Sequence, residues 1–156
     1  MATLPKLIAA GCLEEIEVPG VPKPYARRIY GFPHVIDWLR DVLPGLESQI
    51  DQSHLDQDMS PLEQVFVRLD DYVRGEPLDE YEKSHVMTPN EMGVWEIKTV
   101  DVRVFGWFCS RNHFIAANVD TKARCIDLPG LAAGYRDDTV RRRDALDLDE
   151  PKFVSG

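Results

Sequence analysis

The stretch VWEIKTVDVRVFGWFCSRNHFIAANV, residues 94–119, decides the fold. Its apolar residues recur with period 2, and β-branched and aromatic side chains dominate it. Three strands are predicted, over Val94 to Thr99, Val102 to Phe108 and Phe114 to Val119, joined by tight turns at Val100-Asp101 and Arg111-Asn112. If both turns hold two residues, Lys98 pairs with Arg103 and Glu96 with Phe105. Across the second hairpin Trp107 then pairs with Ala116, Phe105 with Asn118, and Arg103 with Asp120. Directly opposed residues share a face. One face then carries Trp95, Ile97, Val102, Val104, Phe108, Ile115, Ala117 and Val119, a continuous apolar surface. The other carries Glu96, Lys98, Arg103, Phe105, Trp107, Asn118 and Asp120.

Working outward, the upstream chain switches to helical spacing. Val35, Trp38, Leu39, Val42 and Leu43 form one helical stripe, opened by Pro33 and ended by Pro44-Gly45. Ser60-Pro61-Leu62-Glu63 reads as a capping box, and Leu62, Val65, Phe66, Leu69, Tyr72 and Val73 follow it as a second stripe up to Gly75. Residues 45–59 read as a polar connection and 76–91 as an acidic loop. Residues 1–30 read as short strands or a loose arm, with a strand at Ala26 to Tyr30. A tail helix is expected from about Asp137 to Leu146. The predicted fold class is α+β in a single domain, residues 1–156. Residues 1–30 are an arm or strands, 31–92 a helical acidic part, 93–125 an antiparallel meander with the two helices on one face, and 126–156 a loop and C-terminal helix.

The 156 residues carry a net charge of −9, unevenly placed. Residues 1–92 hold 8 basic and 17 acidic side chains, whereas residues 93–156 hold 10 of each. Overall acidity argues against a dedicated high-affinity nucleic-acid binder, because that affinity comes largely from neutralising phosphates. It leaves room for a local phosphate site. Three cysteines without a CxxC pair point to a reduced, cytoplasmic setting and away from a disulfide framework. No apolar run approaches the roughly 20 residues that span a bilayer, and the N-terminus makes a poor secretory signal. His54, Asp56 and Asp58 can ligate metal but have no partner cluster in the sequence, so no metal and no cofactor are expected.

The run Val94-Trp95-Glu96-Ile97-Lys98, then Val102-Arg103-Val104-Phe105, then Phe114 to Val119 with Lys122 and Arg124, resembles the RelE/HigB superfamily, closest to phage-derived HigB-like toxins. The resemblance covers roughly Gly93 to Arg124. It implies a RelE-like fold and metal-independent cleavage of messenger RNA, by attack of a ribose 2′-hydroxyl on the adjacent phosphate. It also implies the ribosome and an antitoxin-like protein as partners. Carried over by position, Arg103 is the phosphate clamp, a planar guanidinium suited to paired phosphate oxygens. Lys98 is a second cation or a base, Lys122 and Arg124 follow the last strand, and Tyr135 matches a tail tyrosine. Phe105 and Trp107 would stack bases, and Asn118 lies on the same face. The chain has Asn118-Val119-Asp120-Thr121-Lys122-Ala123-Arg124 where such toxins often carry Phe-x-Lys-Lys, and it is longer and more acidic than most.

Two other readings stand beside the toxin: a non-catalytic interaction protein on the same fold, and a plain accessory domain. In both, Glu96, Lys98, Arg103 and Asp120 form a cross-strand ladder of opposite charges, and Phe105 and Trp107 belong to a second small core under the N-terminal arm. A nuclease needs its cations to converge, whereas a binding module can leave them paired with Glu96 and Asp120.

Overall fold

The computed structural model describes residues 1–48 and 59–156, so the His54, Asp56 and Asp58 reading lies outside the described residues. In chain order the elements are α1 (Leu4–Ala9), β1 (Glu14–Glu15), β2 (Arg28–Gly31), α2 (Pro33–Asp37) and α3 (Pro61–Arg74). Then come β3 (Ser84–Val86), β4 (Trp95–Lys98), β5 (Val102–Ser110), β6 (His113–Thr121), α4 (Lys122–Asp127) and α5 (Leu131–Ala145). The fold is α+β. The meander β4-β5-β6 is the middle of a six-stranded sheet ordered β1-β2-β6-β5-β4-β3. The expected sheet was antiparallel throughout, but β2 runs parallel to β6, Ile29 opposite Phe114 and Tyr30 opposite Ile115. Among the described residues no helix is long and apolar enough to cross a membrane.

The first hairpin has the predicted register, Glu96 opposite Phe105 and Lys98 opposite Arg103. The second keeps it at both ends, with Arg103 opposite Asp120, Phe105 opposite Asn118, and Ser110 opposite His113 across the Arg111-Asn112 turn. Between these ends the pairing slips by one, so Trp107 faces Ile115 and not Ala116. Ala117 is the extra residue on β6 and Cys109 the extra residue on β5, two bulges that cancel. The slip turns the middle of β6 over. Phe114 and Ala116 join the core beneath α2 and α3, while Ile115 and Ala117, expected there, pack on the opposite face beside Trp107.

Both faces are therefore covered. On one, α2 and α3 close over Ile97, Val102, Val104, Phe114 and Val119. Ser60 caps α3 reciprocally with Glu63, and Gly75 ends it at φ 84°. Gln64 of α3 then fixes the first hairpin turn. Its amide oxygen accepts from Asp101 N at 2.9 Å and Thr99 Oγ1 at 3.0 Å, and its amide nitrogen donates to Asp101 Oδ2 at 2.6 Å. After Asp37 the expected helix continues as a π turn, Trp38–Val42, and a 3₁₀ turn, Leu43–Gly45.

On the second face, Leu7, Leu13, Leu146 and Leu148 cover Trp107, Ile115 and Ala117. The arm expected as strands or coil includes α1, capped by Thr3 and buried through Leu7. The tail helix α5 begins at Leu131, six residues before the expected Asp137, because Gly130 at φ 82° supplies the turn that launches it.

Candidate functional site

One rung of the sheet, Lys98–Arg103–Asp120, crosses β4, β5 and β6 at the end nearest the first hairpin turn. The side chains lie on the second face, where Glu96 and Phe105 also point by alternation. Arg103 is only 9% exposed. Its Nε donates to Glu96 Oε1 at 3.1 Å, and its Nη1 to the carbonyls of Val102 at 3.0 Å and Thr99. Burial pulls the Arg103 guanidinium below its ordinary pKa, against the pull of Glu96. Lys98 is half-buried, its Nζ 4.0 Å above the Tyr81 ring. Burial first, and Arg103 and Lys122 after it, lower its pKa.

Asp120 anchors the other end of the rung. It is 5% exposed and accepts from Tyr135 Oη at 2.5 Å, Arg124 Nε at 3.0 Å and Thr121 N at 2.7 Å. Local folding explains the cluster. Thr121 caps α4, so one helical turn brings Arg124 back over Asp120, and α5 lowers Tyr135 onto the sheet, its ring 5.2 Å from Phe105. Burial, and then the bond to Asp120, push the Tyr135 phenol up to about 12. Lys122, Arg124 and Tyr135 thus lie at the same end of the sheet as the Lys98–Arg103 pair, but only Arg124 and Tyr135 bond Asp120, while Arg103 bonds Glu96 and Lys98 lies over Tyr81. Among the described residues neither Lys98 nor Lys122 makes an ion pair.

The three residues assigned to base contact are placed differently. Phe105 and Trp107 are 0% exposed, and Trp107 Nε1 donates to Lys152 O at 2.9 Å, so neither ring offers a free face. Asn118 is turned into the fold, its Nδ2 donating to Asp138 Oδ2 at 3.0 Å and Thr139 Oγ1 at 3.2 Å. In the Arg141–Arg143 run, Arg141 and Arg142 hold Asp138, while buried Arg143 lies 3.8 Å over the Phe153 ring and donates to Met92 O.

Sequence reading missed β3 and what it adds. His85 sits opposite Glu96, its Nε2 3.4 Å from Glu96 Oε2, and stacks at 4.3 Å on Tyr81, which is 65% exposed. Glu96 therefore lies between an imidazole and a guanidinium. The only signal in the sequence was Ser84-His85-Val86, too short for a period to register.

Cys125 also borders the cluster, and burial foremost pushes its thiol up to about 11 from 9.0. Since the thiolate is the nucleophile, its alkylation at pH 8 should run about a hundredfold below that of an unperturbed thiol. Exposed Cys12 should label first. Iodoacetamide labelling followed by peptide mass spectrometry reads both rates, and equal labelling of Cys125 and Cys12 would contradict the described environment. No family model, curated protein or solved structure matches this chain.

Proposed function

We propose that the protein is a toxin-like endoribonuclease of the RelE/HigB kind, cleaving messenger RNA by 2′-hydroxyl attack on the phosphodiester. The observation that supports this is the grouping of five predicted residues at one end of the sheet, with Arg124 and Tyr135 bonded to Asp120 and Lys98 within electrostatic reach of Arg103 and Lys122. In this reading Lys98 and Lys122, the cations without carboxylate partners, meet the scissile phosphate and offset the charge that gathers on it. Lys98, whose pKa burial lowers, takes the 2′-hydroxyl proton as its neutral amine and becomes a cation beside the phosphate by doing so. The Tyr135 hydroxyl donates to Asp120 Oδ2 at 2.5 Å, so its proton is committed there and not offered to the leaving 5′-oxygen. Tyr135 instead positions Asp120 and, through it, Arg124. Both His85 ring nitrogens are engaged, Nε2 with Glu96 Oε2 at 3.4 Å and Nδ1 with Val86 O at 3.1 Å, so the leaving 5′-oxygen takes its proton from solvent water.

A specific observation favours the second reading, a non-catalytic interaction protein. Arg103 is buried against Glu96, and Arg124 is held by Asp120, so half of the cations are already paired. The test uses the two accessible lysines, whose loss leaves the buried network intact. Inducible expression of the wild type in bacteria should arrest growth and deplete messenger RNA, leaving 2′,3′-cyclic phosphate ends. The Lys98→Ala/Lys122→Ala pair should restore growth at equal protein level and cut the cleavage rate at least about a hundredfold, as expected for lost proton transfer and charge stabilisation. Unimpaired growth and intact RNA with soluble wild type would overturn the nuclease reading and favour the second.

A further inference from the structure

The helix α3 carries apolar surface on two sides. Val65, Leu69, Tyr72 and Val73 are buried in the core, whereas Phe66 and Val67 are 39% and 48% exposed. Two open cavities, of about 490 and 440 Å³, share the Phe66 ring in their walls. Ile16, Ile36, Leu39 and Leu43 line the larger beside it, and Val18, Pro19 and Val67 the smaller. Single exposed apolar side chains are ordinary on a protein surface, but an apolar groove joining several elements marks an interaction site.

The banks of the groove are acidic. Glu14, Glu15 and Glu17 line it from the β1 segment, and Asp70 and Asp71 from α3. Among the described residues Arg40 is the one cation in either lining, and Asp37 and Asp41 already hold it. Glu14 is exposed and makes no ion pair among the described residues. The other four carboxylates meet Lys23, Arg28, Arg68 and Arg74 in partly or fully solvated pairs. Such pairs stabilise little, so a partner's cations can replace them at small cost. A second copy of this chain is a poor occupant, because a two-fold contact sets a patch against itself and would bring these carboxylates together. An apolar stripe flanked by cations satisfies both floor and banks. Two cavities separated by one ring suit side chains at i and i+4 of a helix, which stand roughly 6 Å apart on one face.

We infer that this groove docks a basic amphipathic helix of a partner protein, its apolar stripe against Phe66 and its lysines or arginines against the two acidic banks. The probe is a synthetic helix of about four turns, leucine on one face and lysine on the other. A counterpart with glutamate for every lysine keeps the stripe and reverses the charge. At about 0.15 M salt the lysine peptide should bind the full chain with a dissociation constant below about 100 μM, and the glutamate peptide at least about tenfold more weakly. Phe66 belongs to neither core cluster, so Phe66→Ser stays folded, and it should weaken lysine-peptide binding at least about tenfold. Glu14→Lys/Glu17→Lys should do the same through charge. Glu91→Lys/Asp149→Lys changes net charge equally at exposed positions outside the groove and should leave affinity within about twofold. Absence of binding overturns the inference, as do equal affinities for the two peptides. Binding that either groove variant leaves unchanged, or that the control pair weakens equally, overturns it too. A concentration-dependent dimer in analytical ultracentrifugation that Phe66→Ser abolishes would give the groove to a second copy and overturn it likewise. None of these readouts uses RNA, so they stand apart from the cleavage test.

Discussion

Gly106→Ala should unfold the protein or cost it about 3 kcal/mol or more, because an added methyl group there has nowhere to go. A Cβ on Gly106 would lie 2.0 Å from the carbonyl oxygen of Ile115 and 2.8 Å from Phe114 Cζ. The first contact is with backbone, which cannot rotate aside as a side chain would. It arises where the pairing skips Ala117, from Phe105–Asn118 to Gly106–Ala116, drawing β6 against β5. Alanine must therefore push the two central strands apart or undo the bulge. Undoing it would turn Phe114 and Ala116 out of one core and Ile115 and Ala117 out of the other. Gly134→Ala is the matched control. It lies within α5 with nothing within 4 Å of its added Cβ, and should stabilise by about 0.5–1 kcal/mol. Urea unfolding of both variants gives the comparison, and a Gly106→Ala midpoint equal to wild type would refute the bulge account.

The same bulges explain how far the fold could be read from sequence. The α3 helix was fully legible, since Ser60, Pro61, Glu63 and Gly75 carry local start and stop chemistry independent of tertiary context. The turns at Val100-Asp101 and Arg111-Asn112 were legible too, and they set the pairing next to each turn. Two cancelling bulges leave the residue count between the turns unchanged, so counting from either end returns a register that fails only in the middle. That failure misplaced Ile115 and Ala117. The parallel β2–β6 pair was invisible for another reason. It joins residues 28–31 to residues 113–116 across most of the chain, and no local pattern encodes a strand partner so distant in sequence.

The site was legible in part, on similar grounds. Lys98, Arg103 and Asp120 follow from hairpin register, whereas Arg124 was named by resemblance alone and reaches Asp120 through the helix α4, which the sequence reading did not expect. Tyr135 depended on where α5 would dock, which its weak apolar stripe left open. The burial of Phe105 and Trp107 came from α1, α5 and the residues beyond it, so the second face is a packed layer rather than an open platform. That packing makes the charged rung a rim site and gives its buried ion pair a large structural role.

Glu96→Ala should therefore cost about 3–5 kcal/mol, more than its loss from a solvated ladder could explain. The Glu96 and Arg103 side chains are only 13% and 11% exposed, so removing the carboxylate leaves a buried guanidinium with two backbone carbonyls and without its ion-pair partner. Removing both charges avoids that penalty. The Glu96→Leu/Arg103→Met pair fills the space with apolar volume and should lie within about 1–2 kcal/mol of wild type, as buried pairs replaced by hydrophobic residues often do. Urea unfolding of the single and double variants forms the cycle. A Glu96→Ala loss below about 1 kcal/mol would place the pair among solvated ladders and remove the case for a desolvated site. The double variant also separates stability from chemistry. If Arg103 and Glu96 serve RNA cleavage, the variant stays folded while cleavage falls, whereas a binding face built on Lys98, Lys122 and Tyr81 keeps its partner.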